Sequence, residues 1–404
     1  MGGSEQTLTQ LNPELGAIKE LAEIIDILNT KQETHADAKL NVTQIIDKYE
    51  YPVQEYTVTT EDGYILTMIR ITNKGPPVLL MHGLLMSADD WVTGGPEDGL
   101  AYVLSLAGYD VWMGNARGNK HSRKHESISP EDPKFWEFSF DEIGRNDLPA
   151  MIDFVLETTG EEQLAYIGHS QGTTSFFVMC SEKPEYNQKI SIMIALAPLA
   201  GMSHAKSPLA RILAPYHYYM SVVIKLFKLY EMFPKSIEFQ YMESPVCEVG
   251  NGIICSTVLF MFTGFDYEQI NKTNLPVIFS HTPSGASARQ FIHYLQIINS
   301  GVFRNFDHGD DVNHAIYGSR KPKKYHLDRV KAPVALFYSE NDWFSDVEDV
   351  KILQEKLPNV KEMYLVPFKK FNHIDFIWAK DVKRLVYARM TELLKSDAKS
   401  MKTI

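Results

Sequence analysis

The sequence of 404 residues predicts an α/β fold, in which helices cover a mostly parallel central sheet. The first observation is that strand-like and helix-like stretches alternate over residues 53–200 and again over 331–395. The second is a glycine-flanked serine where a predicted strand meets a predicted helix. The third is that residues 201–330 have a different pattern, apolar and largely helical, which predicts an insertion between two halves of one core.

The serine lies in Gly-His-Ser-Gln-Gly, residues 168–172, which matches the Gly-x-Ser-x-Gly nucleophile elbow of serine hydrolases. An apolar run at 163–167 precedes it, and residues 173–179 can begin a helix. Such a turn would strain Ser170 and direct its hydroxyl into a cleft. The pattern also occurs by chance, with a buried serine in an ordinary turn as the alternative. Whether Ser170 is a nucleophile therefore depends on whether the sequence also offers an acid and a base for it.

A serine nucleophile needs a base, and the base needs an acid that holds its tautomer. In folds with this elbow the chain order is serine, acid, histidine. The apolar run 333–338 predicts a late strand, and Asp342 lies in the turn after it. Asp346 and Asp349 are alternatives, although Asp346 is placed to cap the next predicted helix (347–357) and Asp349 lies inside it. We therefore favour Asp342.

The base follows by elimination, because His373 is the one histidine that the sequence has after Asp342. It comes after the predicted strand 363–366, where this fold places the base. We expect His169, in the elbow, and His82, further upstream, to support the site rather than to react.

Acyl transfer also needs hydrogen-bond donors for the developing oxyanion. One is expected to be the backbone amide of Gln171, directly after the serine. The other is expected from the loop after the predicted strand 77–81. There Gly83 lets the backbone turn inward and Leu84 presents its amide. An ordinary glycine turn is the alternative for this loop.

These motifs occur in an order that resembles the acid lipase family of α/β-hydrolases over roughly residues 41–395. The stretches that carry the resemblance, besides the elbow, are NVTQIIDKYEYP (41–52), YTVTTEDGY (56–64), HGLLMSADDW (82–91), GNARGNKHSRKH (114–125), FWEFSF (135–140), DLPAMIDF (147–154), NDWFSD (341–346) and HIDFIW (373–378). The resemblance implies an α/β-hydrolase fold and an enzyme that needs no metal and no cofactor. The resemblance implies that the catalytic triad is Ser170, Asp342 and His373. It also implies that Leu84 and Gln171 are the oxyanion donors.

Residues 201–330 are interpreted as a cap over the active site, between core segments 41–200 and 331–404. The stretch 216–233 predicts a helix with one apolar face, formed by Val222, Leu226, Leu229, Tyr230 and Phe233. Ile253–Phe265 is a 13-residue apolar run, too short to span a bilayer. Core packing accounts for any one of these side chains, but the whole segment favours an acyl-chain cleft beneath a mobile lid.

Two features favour a protein of the secretory pathway, secreted or lysosomal. The resemblance implies a disulfide between Cys247 and Cys255, with two free buried thiols as the alternative. Asn41 and Asn271 begin Asn-x-Thr glycosylation signals. Cys180 is expected to be a free core residue.

Residues 1–40 are interpreted as an N-terminal extension or pro-segment. They lack the basic start and apolar centre of a signal peptide. From Asn12 onward an amphipathic helix is predicted from the spacing of Leu15, Ile18, Leu21, Ile25 and Leu28.

The net charge of −11 argues against a nucleic-acid partner and against simple electrostatic binding to anionic lipid. The sequence therefore favours a monomeric serine hydrolase of neutral-lipid esters, triacylglycerol or sterol ester, which touches a droplet, emulsion or membrane surface transiently. The alternatives are a carboxylesterase for small soluble or hormone-like esters and a non-catalytic lipid carrier. The apolar cap argues against the first, and the complete triad argues against the second.

Overall fold

A computed structural model describes residues 35–234 and 260–401, with side chains to residue 397. Its strands are β1 (Val53–Thr59), β2 (Tyr64–Ile71), β3 (Pro77–Met81), β4 (Asp110–Met113), β5 (Lys124–His125), β6 (Leu164–His169), β7 (Ile190–Leu196), β8 (Glu231–Met232), β9 (Ala286–Ser287), β10 (Val334–Tyr338) and β11 (Val360–Leu365). The α-helices are α1 (Val42–Lys48), α2 (Gly95–Asp98), α3 (Leu100–Leu106), α4 (Phe140–Glu142), α5 (Leu148–Thr159), α6 (Gln171–Glu182), α7 (Pro208–Leu213), α8 (His217–Phe227), α9 (Leu275–His281), α10 (Ala288–Ser300), α11 (Asp310–Tyr317), α12 (Val347–Lys356), α13 (Asp375–Trp378) and α14 (Ala388–Met401).

Within these residues one large sheet has the strand order β1-β2-β4-β3-β6-β7-β10-β11, with β5 beside β2. The strands from β4 to β11 along this order are parallel, while β1 and β2 form an antiparallel edge. The crossovers that connect parallel strands are helical, as parallel pairing requires. The predicted mostly parallel sheet is confirmed.

The sheet divides the apolar core into two layers, because successive side chains of a strand point to opposite faces. In β3, Leu79 and Met81 pack into one layer, and Val78 and Leu80 pack into the other. All five residues of this strand are buried. Strands covered on both faces read as continuous apolar runs, which is why the sequence showed them clearly.

The described parts of the insertion, 201–234 and 260–330, correct one prediction. Helix α8 ends at Phe227, where Lys228 takes a left-handed φ of 56° and its amide bonds back to Ile224 and Lys225. The chain then forms β8, which pairs with β9. The predicted helix over 216–233 is therefore wrong at its C-terminal end, and Leu229, Tyr230 and Phe233 do not lie on it. The pairing of β8 with β9 ended the helix, although the apolar spacing of the sequence would have continued it.

Cys180 is buried and free, as predicted. The predicted helix after Asn12, the proposed pair Cys247 and Cys255, and the first part of the apolar run at 253–265 lie outside the described residues. In the part of the chain that the structure describes, no helix is long and apolar enough to cross a membrane.

Candidate active site

The Ser170 backbone forms the sharp turn that the elbow motif predicts. It lies between β6 and α6 with φ 51° and ψ −116°, a strained conformation for a residue other than glycine. Its amide donates to the Leu196 carbonyl at the end of β7 (3.0 Å), which holds the turn from below. A Cβ on Gly172 would lie 2.2 Å from the Met81 carbonyl oxygen, so only glycine lets α6 approach β3 this closely.

The three residues predicted as the triad form one hydrogen-bonded chain. His373 Nε2 lies 2.8 Å from Ser170 Oγ, and His373 Nδ1 lies 2.8 Å from Asp342 Oδ2. Asp342 follows β10 and His373 follows β11, so the carboxyl ends of parallel strands bring them together. Asp342 is fully buried, and its Oδ1 accepts the Phe344 and Ser345 amides at 2.9 and 2.7 Å. These bonds fix the carboxylate against the ring.

The competing acids point elsewhere. Asp346 accepts the Glu348 amide at 2.8 Å and caps α12, as its position in the sequence suggested. Asp349 accepts the Ser203 hydroxyl at 2.8 Å and the His204 amide at 2.8 Å.

His169 connects the elbow to the loop that carries His373. Its Nε2 lies 2.9 Å from the His373 carbonyl oxygen, so Nε2 bears the proton and donates. Burial, with His373 nearby, lowers the pKa of His169 to about 3, so the ring is neutral at neutral pH. The supporting role expected for this histidine agrees with these contacts.

The loop expected to supply the second oxyanion donor lies directly beside the serine. A Cβ on Gly83 would lie 3.2 Å from Ser170 Cβ. His82 Nδ1 lies 2.8 Å from the Gly83 carbonyl oxygen, while His82 Nε2 accepts the Ala116 amide at 3.0 Å. Burial lowers the pKa of His82 to about 4, which keeps the ring neutral and its Nδ1–H donating. The Gly83 carbonyl and the Leu84 amide belong to one planar trans peptide, so His82 fixes the direction of that amide.

The backbone amides of Leu84 and Gln171 have no protein acceptor within the described residues. The amide of Gln171 also begins α6, where first-turn N–H groups are unpaired and the helix end favours negative charge. Both amides can therefore donate to an oxygen bound beside Ser170.

A contact that no sequence motif indicated links α10 to the elbow. Gln171 Nε2 donates to Gln290 Oε1 at 2.8 Å, and both side chains are buried. One turn further along α10, Tyr294 donates its hydroxyl hydrogen to Thr174 Oγ1 at 3.0 Å. Gln290 lies 119 residues after Gln171, so local spacing carried no signal for this pair.

A second unexpected feature is a pair of buried carboxyl groups, Asp266 and Asp375, on either side of the contact between segment 263–266 and the His373 loop. The His373 amide donates to the Thr263 carbonyl at 3.3 Å. Burial raises the pKa of both carboxyl groups, and the nearby charge of Asp266 raises that of Asp375 further. Two adjacent carboxyl groups cannot both ionise without repulsion, so they share a proton more readily than isolated ones.

The two predicted glycosylation residues lie away from this cluster. Asn41 is exposed and caps α1, accepting the Gln44 amide at 2.9 Å. Asn271 is partly exposed, just before α9. Glycosylation at either residue stays a prediction.

Comparison with known proteins agrees with the fold. Residues 76–221 match the family described as alpha/beta hydrolase fold, and residues 42–95 match the partial alpha/beta-hydrolase lipase region. Lipase 1 of Drosophila melanogaster is 44% identical over 89% of this chain and 80% of its own length. The gastric triacylglycerol lipases of Rattus norvegicus and Homo sapiens are 39% and 37% identical, over 89% and 94% of this chain and 93% and 98% of theirs.

The fold and the first match define an α/β-hydrolase. The chain belongs to the acid lipase family of α/β-hydrolases, and it is a lipase, a hydrolase of lipid esters. The predicted fold class, family and enzyme class are confirmed.

Proposed function

We propose that the chain hydrolyses neutral-lipid esters, triacylglycerol or sterol ester, with Ser170 as nucleophile, His373 as base and Asp342 as the acid that orients it. The observation that carries this proposal is the continuous chain of hydrogen bonds from Asp342 through His373 to Ser170. Each donor–acceptor distance in it is short enough for proton transfer.

In the first half-reaction His373 Nε2 removes the Ser170 proton while Oγ attacks the ester carbonyl carbon. The carbonyl oxygen becomes the oxyanion, and the Leu84 and Gln171 amides donate to it. The tetrahedral intermediate then collapses, the C–O bond to the alcohol breaks, and His373 gives its proton to the departing alkoxide. An acyl-enzyme ester on Ser170 remains.

In the second half-reaction water enters, His373 removes one of its protons, and the hydroxide attacks the acyl carbonyl. Collapse breaks the bond to Oγ, returns the proton to Ser170 and releases the fatty acid. Asp342 stabilises the positively charged ring in both halves, which is why its carboxylate is held against Nδ1.

Two observations favour lipid rather than small soluble esters. Two relatives that match most of this chain are named gastric triacylglycerol lipases. In addition, α8 and its flanks expose large apolar side chains, among them Tyr218, Tyr219, Leu226 and Phe227. We assign residues 201–330 as a cap whose α8 surface meets a droplet, emulsion or membrane. We likewise propose that the protein works outside the cytoplasm, secreted or lysosomal, as a monomer.

The deciding experiment measures hydrolysis of a chain-length series of p-nitrophenyl esters and of emulsified triacylglycerol and sterol ester, at acidic and neutral pH. Ser170→Ala is the control, and circular dichroism confirms its fold. We expect activity to increase with chain length and to rise sharply when the substrate forms an emulsion. The Ser170→Ala variant should lose roughly 10⁴-fold or more of kcat.

Activity confined to short soluble esters would move the assignment to a carboxylesterase. Full activity of Ser170→Ala would overturn the nucleophile. Absence of turnover by the wild-type chain on every ester would favour the lipid carrier.

A further inference from the structure

The loop that holds Leu84 contains a strained residue. The Met86 amide closes a four-residue turn by donating to the Gly83 carbonyl at 3.2 Å, and Leu85, the third residue of this turn, has φ 64°. Glycine or asparagine is usual at that position, because other side chains are strained there. A leucine in this conformation persists only if contacts from outside the turn hold it.

The outside contact comes from residues 281–284, which run from the last residue of α9 toward β9 and which we call the brace. The Ser284 amide donates to the Leu85 carbonyl at 2.7 Å. The Thr282 hydroxyl donates to Asp90 Oδ1 at 2.7 Å, a few residues after the same loop. The brace is almost two hundred residues away in sequence, so it is part of the insertion and not of the core strands that build the elbow.

The brace is held by a buried ionic cluster around Asp89, whose side chain is 2% exposed. Asp89 Oδ2 lies 2.7 Å from His281 Nδ1 and 2.8 Å from Lys120 Nζ, and Asp89 Oδ1 lies 2.6 Å from His121 Nε2. Three donors from two distant segments thus converge on one carboxylate. His281 is the first residue of the brace, so the cluster fixes it at that end.

Lys120 fixes the brace at both ends. Its Nζ donates to the His281 carbonyl at 2.8 Å, and its backbone amide donates to the Ser284 carbonyl at 2.7 Å. Burial by itself would raise the pKa of Asp89, but Lys120, His121 and His281 more than offset it and hold that pKa well below its usual value. The carboxylate therefore stays ionised, and charge-assisted hydrogen bonds are the strong ones.

We propose that residues 281–284 brace the oxyanion loop and that Asp89 is the positioning residue that holds the brace. This inference rests on the proposed role of Leu84. Asp89 does not touch the reacting atoms. It acts through His281 and Ser284 on Leu85, and through that turn on the peptide that presents the Leu84 amide. Without the cluster the turn relaxes toward a less strained conformation and the amide turns away from the oxyanion.

The test compares Asp89→Asn and His281→Leu with His281→Asn in the full chain. The asparagine amide can donate to Asp89 much as Nδ1–H does, whereas leucine cannot. Asp47→Asn, at an exposed residue of α1, is the matched control. For each variant kcat and KM are measured on a soluble p-nitrophenyl ester, well below its thermal midpoint. The inhibition constant of an alkyl boronic acid, whose adduct with Ser170 places an oxygen between the two amides, is measured alongside.

We expect Asp89→Asn and His281→Leu to lose about tenfold to a hundredfold in kcat, less than removal of a donor outright, with KM changed by less than about threefold. Boronate affinity should fall by the same factor, a parallel that lower stability alone does not produce. His281→Asn should recover most of the kcat that His281→Leu loses, and Asp47→Asn should match the wild type.

A folded Asp89→Asn or His281→Leu with wild-type kcat and boronate affinity would overturn the brace while leaving the proposed function intact. A wild-type chain that hydrolyses no ester would overturn both. If these variants do not fold, Thr282→Val removes a single hydroxyl from the brace. It should lower kcat by roughly two- to fivefold at unchanged KM, in proportion to one lost hydrogen bond. An unchanged kcat there would equally refute the inference.

Discussion

Two helices of the insertion differ sharply although their sequences are similarly amphipathic. On α10 nine residues are buried, and Leu295 is 1% exposed. On α8 no residue is buried, and Leu226 is 73% exposed. The apolar face of α10 is therefore buried, whereas the apolar face of α8 remains at the surface. The comparison shows that the insertion is fixed to the core at some places and presents an apolar surface at others.

The parts of the insertion that are hydrogen-bonded to the core lie close to the candidate catalytic residues. Gln290 on α10 bonds to the side chain next to the nucleophile, and residues 281–284 bond to the oxyanion loop. A movement of the whole insertion would break these buried hydrogen bonds, each of which is costly to leave unpaired. Opening of a lid would therefore have to be confined to α7, α8 and their neighbours, while α10 remains in place.

The largest difference between the two helices should appear in the free energy of unfolding when the same substitution, Leu→Ala, is made in each. Leu295→Ala removes a buried side chain from α10 and should cost about 2–5 kcal/mol of unfolding free energy. Leu226→Ala removes an exposed one from α8 and should change it by less than about 0.5 kcal/mol. Urea unfolding of both variants checks this, and equal losses would mean that α8 is packed after all.

A smaller, pH-dependent effect should come from the contact between segment 263–266 and the His373 loop. Asp266 and Asp375 have higher pKa values when folded, so the folded state binds protons more tightly than the unfolded chain. Their contribution to stability is then complete below an unfolded pKa of about 4 and is lost as the pH rises through the folded values.

Asp266→Asn removes the contribution of Asp266 to this linkage, and it also removes the charge that raises the pKa of Asp375 further. One proton of difference gives a slope of about 1.4 kcal/mol per pH unit, so the fall in wild-type stability between about pH 4 and pH 7 should be flatter in the variant. At neutral pH the variant should be at least as stable as the wild type. Urea unfolding across that range, with Asp311→Asn on the surface as control, tests this. A steeper fall in Asp266→Asn would contradict the assignment.

The smallest expected effect is on the hydrolysis of emulsified lipid, and it should follow a substitution on the exposed face of α8. Leu226→Asp should reduce hydrolysis of emulsified triacylglycerol several-fold, because it places a charge where lipid contact is proposed. Hydrolysis of a soluble ester should be unchanged. Leu226→Gln, which is polar but uncharged, serves as the graded comparison. Equal activity of all three proteins on emulsions would remove α8 from the lipid-binding surface.

The sequence was most informative where local chemistry dictates structure. The glycines around Ser170 specify a turn that few other residues tolerate, and Asp342 lies directly after a continuous apolar strand. Elimination then left His373. These are short-range signals, and each residue falls at the end of a parallel strand, where the fold collects its site.

The rest depended on contacts between distant residues. The Asp89–His281 pair is separated by 192 positions, and no periodicity connects the two. The end of α8 at Lys228 was missed because pairing of β8 with β9, a tertiary effect, stopped a helix that the apolar spacing would have continued. A charged residue in a largely apolar stretch, Asp89 in HGLLMSADDW (82–91), was the available hint that a buried cluster exists.

The order of the site along the chain has a consequence for biosynthesis. Ser170 is translated 203 residues before the imidazole that would activate it. His373 follows β11, which comes last in the chain among the strands of the described residues. A nascent chain still attached to the ribosome therefore holds an uncharged, unassisted hydroxyl. Under the proposed mechanism, hydrolysis of esters requires the C-terminal part of the sheet to have formed, so the enzyme becomes active only after its folding is complete.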